Sequence, residues 1–377
     1  MSPNKPIPRQ RKHKTGIFHL HDVGGPNKVE WQQAPRSVPD TDDAVLQRVA
    51  FECFLCGNPL NRIRDHTHQD TNEDVFPRWL QRRYDLADLY FPLSDGRKIK
   101  YSEALIPACR KCNNVYMSGI EARIAQAVAK GFESFNNLPK SVVFLWCAKI
   151  YYGITHFEVQ PRDGTTKFPE RPSLPPYFLH DIRWLLHLLQ GFRKRVLVNG
   201  HRSLPFSLLR FPLKTGKDES FYFQCRQPAF FPAIALQMGR VGIISVFDDF
   251  GRMESAYEHN FAEILNGREL NPVQFWELAG YLLFVASLYP LHTHFIRIED
   301  ELDMQLIYAP FPEPRLAAFS EREAAEWSRE FAAPWTRLVT GDREGQPFWT
   351  SENGKQLTSL TNEDGSFCDM PIPEEFP

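Results

Sequence analysis

A chain of 377 residues with 42% hydrophobic and 13% aromatic side chains has material for two or three domains with real cores, which excludes a wholly disordered protein. Its net charge of −2 excludes a global polycation, and seven cysteines in this length exclude the dense disulfide framework of a small secreted domain and suit a reducing cytoplasm. Charge is segregated, however, with 20 Lys+Arg against 16 Asp+Glu through Leu138 and 24 against 30 beyond it, so the cationic end is the end that carries the paired cysteines.

The 30 prolines exceed the roughly 5% average and predict many chain reversals. The N-terminus lacks the apolar segment of a secretory signal, and the most apolar run, Leu278 to Pro290, is shorter than the ~20 residues that span a bilayer. A soluble cytoplasmic protein is the expectation.

Residues 1–15 hold Lys5, Arg9, Arg11, Lys12 and Lys14 with no acid, a basic tail that is either an arm for phosphate backbones or a solubilising terminus. Ala44 to Phe51 then lead into Cys53-Phe-Leu-Cys56, which is matched downstream by Cys109-Arg-Lys-Cys112. A Cys-x2-Cys loop turns both sulfurs toward one ion, and two such loops supply the four thiolates of a closed tetrahedral zinc site.

Between the pairs lie His66 and His68, then Glu73-Asp74-Val75-Phe76-Pro77-Arg78-Trp79-Leu80, then Ser94-Asp95-Gly96-Arg97 as a hairpin tip. Behind the second pair, Asn113-Asn114-Val115-Tyr116-Met117-Ser118-Gly119-Ile120-Glu121 opens a helical pattern through Ile124, Ala125, Val128 and Ala129, with Asn113 at its start.

In order and local spacing, these residues resemble the zinc-stapled branch of the HNH endonucleases over roughly residues 45–135. The resemblance implies a ββα-metal fold in which an acid and a histidine end the first strand. In that family the histidine activates water, the acid and a helix residue hold a divalent cation against the scissile phosphate, and an asparagine orients the histidine. Carried over, Glu73 stands for the acid, Asp74 for the histidine, Asn113 for the asparagine and Glu121 for the helix residue.

The family's histidine is therefore an aspartate here, and an ordinary aspartate is a poorer base than imidazole at neutral pH. Three accounts stay open: Asp74 is base or metal ligand, His66 or His68 is a displaced base, or hydrolysis is lost and the module only binds nucleic acid, senses a ligand or holds a structural metal. Under the first, Asp74 and Asn113 are catalytic, while Glu73, Asp74 and Glu121 hold Mg2+ or Mn2+ beside the structural Zn2+ of Cys53, Cys56, Cys109 and Cys112. Arg78, Arg82, Arg83, Arg110 and Lys111, with Arg123, are candidates for gripping DNA, RNA not excluded.

The remainder predicts helices at Lys140–Tyr152, with Trp146 and Lys149 in a Trp-x-x-Lys segment of the kind that follows related zinc-stapled HNH proteins, and at Tyr177–Gln190, Ser255–Leu265 and Pro272–Leu288. Short strands are expected at Arg195–Val198, Pro205–Phe211, Ser220–Cys225 and Val241–Phe247, and Ser320 to Glu323 reads as a capping box for a helix through Phe331. The whole is an α+β reading: a basic lead-in (1–44), an HNH-like zinc domain (45–138), a mixed helix and sheet domain (139–340) and a loosely packed tail (341–377). Nothing in the larger domain identifies its ligand, and a protein or small-molecule partner that gates the first domain remains a reading of it.

Overall fold

The computed structural model describes residues 42–60, 70–160, 173–199, 204–228, 231–288, 295–299, 303–308, 358–362, 366–370 and 372. The basic tail, His66, His68 and the Ser320 capping box lie outside these residues. Among them helices and several small sheets alternate along the chain, an α+β architecture.

The first helix, α1 (Asp42–Phe51), delivers the chain to the first cysteine loop. Strand β1 (Asp70–Asp74) runs into α2 (Arg78–Arg83), where Pro77, with its fixed φ and no N–H to leave unpaired, suits the entry to a helix. A small hairpin, β2 (Tyr90–Pro92) with β3 (Lys98–Lys100), turns at Gly96, whose φ of 82° is one that glycine adopts without strain. Strand β4 (Leu105–Cys109) returns antiparallel to β1, pairing Asp70 with Cys109 and Glu73 with Ile106. One widened turn, Cys112–Met117, then leads into α3 (Ser118–Ala129).

After α4 (Phe132–Asn136) comes α5 (Lys140–Val159), in which every residue from Val142 to Val159 is buried. A helix enclosed on all sides belongs in a core. It extends seven residues past the expected end at Tyr152. The predicted helix over 177–190 divides into α6 (Tyr177–Asp181) and α7 (Arg183–Leu189), because Ile182 between them leaves helical geometry at φ −98° and ψ 13°.

Strand β5 (Arg195–Asn199) joins a three-stranded sheet completed late in the chain. A four-stranded antiparallel sheet follows, formed by β6 (Ser207–Pro212), β7 (Phe223–Arg226), β8 (Ala233–Met238) and β9 (Val241–Val246) in the order β6-β9-β8-β7. Next come α8 (Arg252–Asn260), α9 (Ala262–Leu265) and α10 (Pro272–Ser287). Strands β10 (Phe295–Glu299) and β11 (Asp303–Tyr308) then complete the three-stranded sheet, with β11 parallel to β5. No helix among the described residues is long and apolar enough to cross a membrane.

Two apolar cores flank the four-stranded sheet, and the period-two alternation of a strand assigns β8 to both. Ile234, Leu236 and Met238 face a core shared with α5 and the cysteine-bearing segments, while Ala233 and Ala235 face α10. The first core runs without a break from Val45 to Leu306, across the expected boundary at 138/139. Polar bonds cross it too: Arg210 donates to the carbonyls of Phe135, Asn136 and Leu138, and Gln190 donates to the Leu55 carbonyl at 2.7 Å.

The expectation of a loosely packed tail fails at Ser359 and Leu360, both buried against α10. Gln274 donates to the carbonyls of Ser359 and Cys368, and Glu277 accepts from the Ser359 amide at 2.9 Å and from its hydroxyl. Burial pushes the Glu277 carboxyl up to about 7 despite these bonds. The folded chain therefore holds this proton more tightly than the unfolded one, whose ordinary value is 4.5. Its stabilising effect is complete below that value and is lost as pH rises toward 7, by up to roughly 3 kcal/mol. Melting temperature is expected to fall from about pH 5 to about pH 7.5, and Glu277→Gln to flatten that slope; an unchanged slope in the variant excludes this assignment. Asp249, raised to about 6 by burial, adds a smaller slope of the same sign.

Candidate metal centre and the buried acid pair

The first cysteine loop closes tightly because Gly57 takes φ 70°, letting its amide reach the Cys53 carbonyl at 2.8 Å while the Cys53 amide reaches Asn58 O at 2.9 Å. The loop is pinned to β4 by the Phe54 amide on Pro107 O, 3.0 Å. On the other side the Cys112 amide points at Cys109 Sγ, 3.5 Å. The two loops thus meet face to face.

Their four sulfurs lie within 4.8 Å of one another, with Cys56 and Cys109 3.8 Å apart. A tetrahedron with metal–sulfur bonds of ~2.3 Å has edges of about 3.8 Å, so the donor set fits an ion such as zinc. Cys53 and Cys112 are buried, while Cys56 and Cys109 are only partly covered. Hydrogen bonds from the Cys112 and Cys53 thiols hold Cys56 down to about 3, and the bonds to Cys53 and Cys56, with burial, push Cys112 up. Beside the cluster, burial pushes His156 down to about 4, so it is a neutral ring packed edge-on against Phe54.

The expected acids present a different arrangement. Glu73 is buried on the inward face of β1, and Glu121 projects from α3 toward it, but the group between them is the ammonium of Lys149. Lys149 Nζ lies 2.6 Å from Glu73 Oε1, 3.0 Å from Glu121 Oε1, 2.6 Å from the Asp74 carbonyl and 3.3 Å from the Val75 carbonyl. The side chain is 1% exposed. Burial alone would pull this lysine down, yet Glu121 and Glu73 outweigh it and hold it above its usual value, so it stays charged. Burial pushes Glu73 up, Lys149 draws it back, and the neighbouring Glu121 and Asp74 charges add to the rise. Among the described residues, the four thiols are the only group of His, Cys, Asp or Glu side chains that converges as a metal-holding set.

Asp74 faces outward, half-buried, with Arg78 Nε on its carboxylate at 3.0 Å. Asn113 does not reach Asp74: its amide donates to Thr71 Oγ1 at 3.0 Å and to the Asn72 carbonyl at 3.2 Å, tying the widened turn to β1. A widened turn of this type is often found at functional sites. Arg78, Arg82, Arg110, Lys111 and Arg123 are exposed, and Lys111 Nζ lies 5.6 Å over the Tyr116 ring, with the Arg193 guanidinium 5.9 Å from it. Arg83 is committed elsewhere, bonding Glu219 at 3.0 Å.

The four cysteines and the two glutamates come together as the sequence predicts, but Lys149, expected only as part of the Trp-x-x-Lys segment of the following domain, stands between the glutamates. The available signal was a lysine inside an otherwise apolar helical run. No protein-family model, curated protein or solved structure matches this chain.

Proposed function

We propose that residues 45–138 are an HNH-like, zinc-stapled ββα module descended from metal-dependent endonucleases, which binds nucleic acid, DNA before RNA, without hydrolysing it. The antiparallel β1 and β4 followed by the widened turn and α3 support the fold assignment, and the four convergent sulfurs support zinc. The observation that carries the loss of hydrolysis is Lys149, whose ammonium holds the two acids that the family uses toward a cation. The exposed arginines and lysines of α2, the second cysteine loop and α3 support contact with phosphates. Seven free cysteines support a reducing compartment, the cytoplasm.

A second reading, hydrolysis of DNA phosphodiester bonds with Mg2+ or Mn2+, is favoured by the partly open carboxylate of Asp74 at the end of β1, where the family places its base. Supercoiled plasmid with either ion separates the two. The binding reading expects gel retardation with no nicking; nicking that Glu73→Ala and Asp74→Ala both abolish would install the second reading instead. The surface is tested by Arg110→Ala with Lys111→Ala, expected to weaken DNA binding about tenfold near 0.1 M salt and to lower the slope of log K against log salt by about 2. Binding and slope unchanged in this variant would remove the second cysteine loop from the interface.

A further inference from the structure

The oxygens around Lys149 are those a divalent cation would seek: two carboxylates from β1 and α3 and two main-chain carbonyls from the end of β1. They are set at nitrogen-to-oxygen hydrogen-bond distances, longer than the ~2.0–2.1 Å that Mg2+ demands. An ammonium has three protons to donate and no lone pair to offer, so it satisfies the three nearest oxygens, leaves the Val75 carbonyl as the most distant at 3.3 Å, and cannot serve as a metal ligand. Lys149 is also anchored: its helix is buried from Val142 to Val159, and its side chain is held at 1% exposure by bonds to both carboxylates. A second cation in the same seat would sit against a positive charge in a site with little water to screen it.

The residues therefore do not fit the Mg2+ or Mn2+ that the HNH resemblance implies while Lys149 is in place. We propose that Lys149 is a resident monovalent cation that has replaced the divalent ion, and that its removal uncovers a latent metal seat formed by Glu73 and Glu121. The inference takes from the HNH-like reading only the expectation it overturns. Its geometry stands whether or not the protein binds DNA.

Manganese binding to the full-length, zinc-loaded chain, followed by electron paramagnetic resonance, tests it. The wild-type protein is expected to take up no Mn2+ that depends on Glu121. Lys149→Ala is expected to gain one Mn2+ per chain, bound at least about tenfold more tightly than any site of the wild type, and Lys149→Ala with Glu121→Gln to lose it again. Wild-type uptake that Glu121→Gln weakens overturns the proposal, as does a folded Lys149→Ala chain that gains nothing. If Lys149→Ala does not fold, the wild type and Glu121→Gln alone decide, uptake sensitive to Glu121 counting against the proposal and its absence sustaining it. DNA retardation measured on the same wild-type sample reports separately on the binding function.

Discussion

Cys109→Ser, or exhaustive chelation, is expected to cost the chain the metal ion, zinc in the reading proposed above, that its four sulfurs can hold, and the ordered structure around it. Two of the four sulfurs are buried in the same apolar core as Phe54, Leu55, Met117 and Ile120, so an unligated cluster would leave uncompensated thiols in an apolar interior. Structural zinc of this kind contributes apparent free energies on the order of 10–16 kcal/mol near neutral pH, most of it folding energy. The two loops are joined across a 53-residue separation between Cys56 and Cys109, with the amide of Phe54 on Pro107 as a main-chain bond that ties the first loop to β4. The expected readings are one zinc per wild-type chain, none in the variant, and a melting temperature lower by on the order of 10 °C or more. Because every ligand must be deprotonated to bind, acidification should release the ion as chelation does. A metal-free protein that melts with the wild type would remove the clamp from the account.

Lys149→Met carries the second large effect. Methionine approximates the stem of lysine but leaves Glu73 and Glu121 facing one another with no counter-charge, and breaking one partner of a buried ion pair costs roughly 3–5 kcal/mol. Urea unfolding should register a loss of that size. The mechanism makes a sharper demand: if the penalty arises from the stranded carboxylates, Glu73→Gln should relieve part of it in the Lys149→Met background while destabilising the wild type. Additive effects of the two substitutions would mean that the lysine acts by packing alone.

The sulfur cluster was legible because its signal is local: a Cys-x2-Cys loop can hardly do anything else twice. The strands near Arg195, Ser207 and Val241 were legible for the same reason, β-branched and aromatic residues between turns. Strand β8 escaped because Ala-Ile-Ala-Leu-Gln-Met is made of good helix formers, and only pairing with β7 and β9 overrides that preference. Strand β10, Phe-Ile-Arg-Ile-Glu, carries strand-like residues and pairs with β11, the next strand in the chain, so its missed signal was local; what lies beyond any local pattern is the parallel pairing of β11 with β5, about a hundred positions upstream. The role of Lys149 is wholly tertiary. Its carboxylate partners stand 76 and 28 positions earlier in the chain, and no spacing rule links them.

The boundary expected after Leu138 falls in the middle of a shared interior, and that has a practical corollary for any shortened form of this protein. A piece cut at Leu138 would keep its thiol staple but forfeit the amine that neutralises its inner acids, along with Trp146, which covers Trp79. Such a remnant would be stickier toward divalent ions than the intact chain, and activity assigned to it would belong to the truncation rather than to the parent.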